Sequence, residues 1–305
     1  MKTKAGIITL LGPTNAGKST LINKLIGEKI SIVSHKVQTS RFLIRAILNK
    51  KTKEFNSQMV FVDTPGIFSP SSKLDQSMVS TAWGAIQESN IVLLVVDVNK
   101  GITDTIKLLT RNLNSQKIEV PIFLALNKVD RVKKDKLISI VQEFMDLYKF
   151  DEVFMISALK GTNIEKTVNT IVDNLPEQDF ISTQEDAFKT PLKFYCAEIT
   201  REKVYKFFHQ ELPYSTSVVT DLIEDSEDKK RLIIHQTIFV EKNSQKRIIV
   251  GKAGSGIKKI GIDSRLELQS ILNKKIQLLL FVKVDPKWVD KNQSLVSWDK
   301  SSFEF

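Results

Sequence analysis

The chain has 305 residues, of which 42% are hydrophobic and 26% charged, with 12 Gly, 8 Pro and one Cys. This length predicts roughly two domains, and the ordinary composition excludes collagen-like, mucin-like and wholly disordered proteins. Cys196 alone cannot form an intramolecular disulfide, and the apolar run at residues 91–96 is far too short to span a bilayer. We therefore expect a soluble protein of the cytoplasm.

Most of the formal net charge of +10 comes from one segment. Residues 242–283 carry ten basic and two acidic side chains, whereas residues 221–228 carry five acidic side chains and no basic one. A local basic excess favours polyanionic partners. The charge pattern therefore predicts a polyanion-binding site in the C-terminal part of the chain.

Short apolar runs alternate with helical-period stretches up to about residue 174. The predicted strands are residues 6–11, 42–48, 59–62, 91–96, 120–126 and 153–156. Alternation of this kind predicts an α/β fold with a doubly wound, mostly parallel six-stranded sheet. No predicted helix separates 42–48 from 59–62, only a largely polar stretch, which predicts an antiparallel hairpin at the sheet edge.

A proline-bounded polar stretch at residues 175–190 predicts an interdomain linker. It separates a first domain at 1–174 from a second domain at 191–285, and a tail at 286–305 has no assigned role. In the second domain we expect a helix at 192–210, strands at 215–222 and 231–240, a helix at 257–272 and a strand at 276–284.

The strongest motif is a glycine-rich loop of the form G-x-x-x-x-G-K-[ST] between a predicted strand and a predicted helix. Backbone N–H groups of such a loop surround phosphate oxygens, its lysine reaches the terminal phosphates and its serine ligates Mg²⁺. The loop residues are Gly12, Pro13, Thr14, Asn15, Ala16, Gly17, Lys18 and Ser19, followed by Thr20.

A second motif, Asp63, Thr64, Pro65 and Gly66, ends the predicted strand at 59–62. At this position Asp63 can hold Mg²⁺ through water, and the N–H of Gly66 can meet a γ-phosphate. We assign the catalytic roles to Lys18 and Gly66, and the metal to Ser19, Asp63 and a switch hydroxyl.

Two further motifs follow predicted strands and indicate guanine. Asn127, Lys128 and Asp130 form an N-K-x-D motif, in which the aspartate accepts the N1–H and N2–H of guanine. Ser157, Ala158 and Leu159 can present backbone N–H groups to the guanine oxygen. Four motifs in the correct order at strand ends predict a GTP-binding domain.

The hydrolytic step is less evident from the sequence. Ile67 stands where Ras-like GTPases have a water-orienting glutamine. Catalysis is then either slow and assisted by a partner, or a water or cation replaces the missing group. Thr39 and Ser40 are adjacent candidates for the Mg²⁺-ligating hydroxyl of the first switch.

The basic segment contains a G-x-x-G loop before a basic amphipathic helix, the pattern of a KH module, which clamps single-stranded RNA. The predicted RNA-binding residues are Lys246, Val250, Gly251, Lys252, Ala253, Gly254, Lys258 and Lys259. The order of predicted elements favours an α+β KH domain of type II-like topology.

Together these motifs resemble the Era family of bacterial GTPases along the whole chain. The resemblance rests on 12–21, 29–34, 38–41, 63–66 and 127–130, and on 198–203, 211–215 and 250–261 in the C-terminal part. It implies GTP/GDP and Mg²⁺ as ligands, and assembly of the small (30S) ribosomal subunit through the 3′ end of 16S-type rRNA. No DNA partner is expected.

The resemblance also implies peripheral contact with the inner membrane, and Asn15 matches the P-loop asparagine of K⁺-stimulated relatives. Ser40 stands where the family usually has threonine, and its hydroxyl can still ligate Mg²⁺. Two alternatives stay open at this point: a membrane-surface GTPase whose basic patch binds anionic lipid, and a non-hydrolysing rRNA-binding scaffold.

Overall fold

The structure, a computed structural model, describes residues 2–27, 29, 43–52, 54–66, 73–116, 118–181, 192–208 and 216–286, without the side chains of 73–78. The chain forms two compact units, Met1–Phe188 and Lys189–Phe305. Gln178, which falls in the predicted linker, donates from Nε2 to the carbonyl of Ala5 (2.9 Å) and so lies beside the first strand. The predicted domain and linker limits stay predictions.

The first unit alternates strands and helices. Its described elements are β1 (Lys2–Leu11), α1 (Lys18–Ile26), β2 (Ile44–Lys51), β3 (Phe55–Asp63), α2 (Lys73–Gln87), β4 (Ile91–Asp97), α3 (Asp104–Ser115), β5 (Ile122–Asn127), α4 (Lys134–Leu147), β6 (Glu152–Ile156) and α5 (Ile164–Asp173).

These strands form a six-stranded sheet in the order β2-β3-β1-β4-β5-β6. Only β2 runs antiparallel within it, paired with β3 at the edge, which confirms the predicted hairpin and the predicted mostly parallel sheet. Every residue of β4 is buried, as expected for a strand covered on both faces. Because the parallel strands end at one edge, the loops that follow β1, β3, β4, β5 and β6 meet there.

The two faces of the sheet have separate apolar cores. On one face Ile8, Phe61 and Phe123 belong to the cluster that includes residues of α1 and α5. On the other face Leu94 and Phe144 pack with residues of α2 and α3. Together the two layers hold the strand ends at fixed spacing, which positions the loops described below.

The second unit contains α6 (Leu192–Phe207), β7 (Thr216–Asp225), β8 (Arg231–Val240), α7 (Asn243–Val250), α8 (Ser255–Leu272) and β9 (Lys275–Val284). Its three-stranded sheet has the order β7-β8-β9, in which β8 pairs antiparallel with β7 and parallel with β9. Across both units, no helix among the described residues is long and apolar enough to cross a membrane.

Helix α7 was not among the elements predicted from the sequence, which placed none between residues 240 and 257. The side chain of Gln245 accepts hydrogen bonds from the N–H groups of Glu241 and Lys242 (both 2.9 Å) and so caps the start of this helix. Ile249 is fully buried, whereas Ile248 is 54% exposed, which is the one-sided burial of a surface helix.

Helix α6 is unusual because it buries charged side chains. Arg201 Nε and Nη2 donate to Glu198 Oε1 (2.6 Å) and Oε2 (2.5 Å), and both side chains are almost fully buried. Nearby, Thr200 donates to Gln236 Oε1 (2.6 Å), a residue of β8. The ion pair joins successive turns of α6, and the hydrogen bond to Gln236 joins the helix to the sheet.

Candidate functional site

The loop between β1 and α1 passes very close to two neighbouring strands. A Cβ on Gly12, where φ is +145°, would lie 2.1 Å from the carbonyl oxygen of Val95. A Cβ on Gly17, where φ is +102°, would lie 2.2 Å from Asn127 Nδ2. Both positions therefore require glycine, for backbone conformation and for space.

Lys18 lies inside this loop and is buried. Its Nζ donates to the carbonyls of Gly12 (3.0 Å) and Pro13 (3.1 Å). Burial lowers the pKa of Lys18 to about 8, and the nearby carboxylate of Asp63 partly opposes this shift. A bound polyphosphate would stabilise the charged form of this ammonium.

The donor set beside Lys18 fits Mg²⁺. Ser19 Oγ donates to Asp63 Oδ2 (2.7 Å), and Asp63 is fully buried at the end of β3. A hydroxyl and a carboxylate in contact supply the oxygen ligands that a hard divalent cation prefers. The neighbouring Thr64 donates to the carbonyl of Leu10 (2.7 Å) and ties the loop after β3 to β1.

The loop after β3 also touches the glycine-rich loop. A Cβ on Gly66 would lie 2.6 Å from Thr14 Cγ2 and 2.9 Å from the Thr14 backbone nitrogen. This close approach places the Gly66 backbone against the glycine-rich loop. There it could contact the terminal phosphate of a bound nucleotide.

Asn127 joins the glycine-rich loop to the loop after β6. Its Nδ2 donates to the carbonyl of Ala16 (2.9 Å), and its Oδ1 accepts from the N–H groups of Lys128 (2.8 Å) and Ala158 (2.9 Å). Because a trans peptide points its C=O and the following N–H in opposite directions, holding the Ala16 carbonyl turns the Gly17 N–H away from Asn127.

Asp130 is held by Ser157. The Ser157 hydroxyl donates to Asp130 Oδ1 (2.6 Å), and this hydrogen bond lowers the pKa of Asp130 below its ordinary value. The carboxylate is therefore ionised at neutral pH. An ionised carboxylate in an exposed position can accept two N–H groups from a ligand.

The second site is the G-x-x-G loop between α7 and α8 in the second unit. Gly251 (φ +71°), Ala253 (φ +51°) and Gly254 (φ +76°) all have positive φ, and Ala253 and Gly254 are in the left-handed helical conformation. A Cβ on Gly251 would lie 2.8 Å from the Gly256 nitrogen, whereas a Cβ on Gly254 would meet no atom of the described residues within 4 Å. The Gly254 side of the loop is thus open to a ligand.

Basic side chains surround this loop. Lys246, Lys252, Lys258 and Lys259 are all exposed. Lys259 Nζ lies 4.5 Å from the ring centre of Phe207, so part of its charge rests over an aromatic face. Two exposed apolar side chains, Ile248 of α7 (54% exposed) and Ile262 of α8 (39%), lie on the two helices that flank the loop.

Comparison with known proteins places both units in one family. The model of the 50S ribosome-binding GTPase family matches residues 7–128, and the KH-domain model matches residues 211–289. GTPase Era of Bradyrhizobium diazoefficiens is 42% identical over 94% of this chain and 91% of its own length, and that of Agrobacterium fabrum is 42% identical over 95% and 89%. The chain belongs to the Era GTPase family.

Solved Era structures share the fold of this chain. A crystal structure of an Aquifex aeolicus Era variant bound to GDP·AlF₄⁻ has a TM-score of 0.89 and 32% identity, with 96% of this chain and 97% of that chain covered. Era in complex with MgGDPNP and nucleotides 1506–1542 of 16S ribosomal RNA gives the same values. The predicted fold, a P-loop GTPase unit followed by a KH unit, is confirmed.

The structure brings most predicted nucleotide-site residues of this Era-family chain to one edge of the sheet. Leu159 is 70% exposed beside Ala158, and Val250 ends α7 next to Gly251. Thr39, Ser40 and Ile67 lie outside the described residues, as does the family motif at 211–215. The roles of the individual residues stay predictions.

Sequence reasoning missed one participant, Asp97. Its Oδ2 accepts a hydrogen bond from Lys128 Nζ (2.7 Å), and the same ammonium donates to the carbonyl of Asn15 (2.7 Å). Asp97 ends β4 and stands beside Asn127 in the register of β4 with β5. The sequence signal that could have identified Asp97 is an acidic residue directly after the predicted strand at 91–96, at the sheet edge where the motif loops lie.

Proposed function

We propose that the chain binds and hydrolyses Mg²⁺–GTP and binds the 3′ end region of small-subunit rRNA during assembly of the 30S subunit. One observation carries the nucleotide part: side chains of Lys128, Asn127 and Ser19 link the glycine-rich loop to the loops after β3, β4, β5 and β6. Binding of rRNA is supported by the solved Era complex with nucleotides 1506–1542 of 16S rRNA.

In this proposal Lys18 contributes positive charge to the terminal phosphates, and loop N–H groups between Gly12 and Thr20 surround them. Ser19, Asp63 and a hydroxyl of Thr39 or Ser40 would hold Mg²⁺, which neutralises charge on the phosphate oxygens when bound. The N–H of Gly66 would donate to the γ-phosphate.

Guanine is selected by Asp130 through two N–H donors that adenine does not present. Asn127 and Lys128 hold the base loop, and Ser157, Ala158 and Leu159 are the predicted source of a backbone N–H donor to the guanine oxygen. The Ser157 N–H donates to the Thr162 carbonyl (3.2 Å) and the Ala158 N–H to Asn127 Oδ1 (2.9 Å), so we assign the donor to Leu159. The hydrogen bond from Ser157 supports this assignment because it fixes the rotamer of the Asp130 carboxylate.

Hydrolysis requires a substitute for the missing glutamine at Ile67. We propose that Asn15 helps to hold K⁺ beside the phosphates, so that phosphate release is faster in K⁺ than in Na⁺ buffer. Multiple-turnover phosphate release in the two buffers tests this, and equal rates would remove K⁺ from the proposal. Release above the uncatalysed rate in either buffer separates an enzyme from a non-hydrolysing scaffold.

For RNA, the glycines of the G-x-x-G loop let the nucleic-acid backbone approach, and Lys246, Lys252, Lys258 and Lys259 neutralise its phosphates. Ile248 and Ile262 offer apolar surface to the bases. We expect the chain to act in the cytoplasm, where its rRNA partner is assembled. Peripheral contact with the inner membrane stays a prediction, tested by liposome co-sedimentation with and without competing RNA.

The substitution Asp130→Asn tests guanine selection. We expect weaker GTP binding and improved xanthine nucleotide binding, because the amide presents a donor where guanine needs an acceptor. Competition against a fluorescent GDP analogue measures both affinities. Asp135→Asn, an exposed change at the start of α4, is the matched control and should leave both unchanged. An unaltered preference for guanine in the Asp130 variant would contradict the assignment.

RNA binding is tested by filter retention of a single-stranded fragment of the 16S 3′ region. We expect stronger retention with a non-hydrolysable GTP analogue than with GDP. Equal retention in both states would contradict nucleotide-dependent binding, and no retention in either state would contradict the RNA assignment itself.

A further inference from the structure

The ammonium of Lys128 is shared between two loops. It lies 2.7 Å from the Asn15 carbonyl oxygen in the glycine-rich loop and 2.7 Å from Asp97 Oδ2 at the end of β4. The Lys128 side chain is 23% exposed and that of Asp97 is 8% exposed. An ion pair so largely withdrawn from water is costly to break by removing one partner alone.

The carboxylate of Asp97 is fixed at both oxygens. Oδ1 accepts from the N–H of Asn99 (3.1 Å), which caps the short 3₁₀ turn Val98–Lys100, and Oδ2 accepts from Lys128. One oxygen thus attaches Asp97 to its own turn while the other reaches across to the base loop. This arrangement leaves the carboxylate little rotational freedom.

The side chain of Lys128 also lies alongside the glycine-rich loop. Its backbone is left-handed (φ +68°), and its Cε lies 3.9 Å from the place where a Cβ of Gly17 would stand. Without Asp97, the ammonium would keep the Asn15 carbonyl and lose its counter-charge. The side chain would then hold the base loop to the phosphate loop less firmly.

We propose that Asp97 is a positioning residue of the nucleotide site, which fixes Lys128 against the Asn15 carbonyl and thereby joins the base loop to the phosphate loop. The proposal rests on the proposed function, since it concerns the same site. It assigns Asp97 to the retention of the nucleotide and leaves the selection of guanine to Asp130. Because Asp97 acts through Lys128, the effects of losing either side chain should not add.

A double-mutant cycle tests this coupling. GDP dissociation is measured with a fluorescent analogue for the wild type, Asp97→Asn, Lys128→Met and the double variant. We expect each single change to raise the dissociation rate about tenfold, and the double variant to release GDP no faster than the faster single one. Asp97→Asn keeps an oxygen for the Asn99 N–H, so the 3₁₀ turn is retained.

Asp104→Asn is the matched control, because Asp104 forms an exposed ion pair with Lys107 (3.7 Å) on α3. It should leave GDP release unchanged. A second variant, Asp97→Ser, keeps a smaller acceptor for Asn99 and should also release GDP faster than the wild type. Urea unfolding of the nucleotide-free variants distinguishes positioning from fold stabilisation.

Two results would overturn the proposal while leaving the proposed function intact. One is a GDP dissociation rate equal to that of the wild type in both Asp97 variants, whether or not their urea unfolding midpoint is lower. The other is multiplicative acceleration in the double variant, about a hundredfold in total, which would show that Asp97 and Lys128 act independently. If the wild-type chain itself does not retain GDP, the proposed function fails as well.

Discussion

Gly66 is a position at which the nucleotide site requires a residue without a side chain. We predict that Gly66→Ala slows phosphate release at least tenfold, because its methyl group would lie 2.8 Å from the backbone Cα of Thr14 and push the two loops apart. A multiple-turnover phosphate assay measures this.

Gly84→Ala is the matched control for Gly66, since a Cβ at Gly84 meets no atom within 4 Å in the part of the chain that the structure describes. It lies inside α2, where alanine should add about 0.5–1 kcal/mol to the free energy of unfolding without changing the rate. Equal phosphate release in the Gly66 variant and the wild type would contradict the steric argument.

Lys18 makes the affinity for GTP depend on pH. Burial lowers its pKa from 10.5 to about 8 in the nucleotide-free protein. Its contribution to folding stability is therefore present above pH 10.5 and is lost as the pH falls through 8, where the buried amine must carry its charge. Nucleotide binding has the opposite sign, because phosphates need the protonated form.

We therefore predict that GTP affinity is nearly constant up to about pH 7, about twofold weaker at pH 8 and about tenfold weaker at pH 9, where roughly one amine in eleven is protonated. Titration calorimetry between pH 7 and 9.5 measures it. Lys24→Met, a change at an exposed lysine of α1, should keep the same pH profile. An affinity that does not fall above pH 8 would contradict the role of Lys18.

At the scale of elements, α6 depends on a buried ion pair. Burial opposes the charge of the Arg201 guanidinium, but Glu198 outweighs it, so the pKa of Arg201 lies above its ordinary value. We predict that Glu198→Gln lowers the free energy of unfolding by about 3–5 kcal/mol, because it leaves the guanidinium buried without its carboxylate. Urea denaturation followed by circular dichroism measures the loss.

Asp225→Asn provides the comparison, since it breaks the ion pair with Lys274 (3.3 Å), whose two side chains are about half exposed. We expect a loss below about 1 kcal/mol there. If the two variants are destabilised equally, burial does not determine the strength of the α6 pair.

The elements also show what the sequence can predict. The hairpin of β2 and β3 was predictable because the ten residues between the two predicted strands are too few for a crossover helix. Helix α7 was missed because three successive apolar residues, 248–250, resemble a strand when their capping residue Gln245 is ignored. Asp97 was missed because it belongs to no motif, and its pairing with Lys128 depends on the order of β4 and β5 in the sheet.

At the scale of the molecule, the two compact units allow the RNA loop to be changed separately from the nucleotide site. We predict that Gly254→Asp reduces RNA affinity at least tenfold, because it places a negative charge where phosphates approach, and that GTP affinity is unchanged. Filter binding and calorimetry measure the two affinities. Gly254 suits the test, since a Cβ there would meet none of the described atoms within 4 Å.

Gly254→Asn is the matched control, because it has the same size and tolerates the left-handed conformation equally well. RNA affinity of the Asn variant should stay close to that of the wild type. Equal losses in the Asp and Asn variants would mean that backbone conformation, and not charge, causes the effect.

The position of β9 has a consequence for synthesis on the ribosome. This strand pairs with β8 from Lys275 to Val284, and Leu280, Val282 and Val284 pack against the cluster around Ile249 and Ile260. The C-terminal core therefore cannot close until the last of these residues has left the exit tunnel, long after β6 and α5 have emerged. A nascent chain should accordingly be able to bind nucleotide well before it can bind RNA.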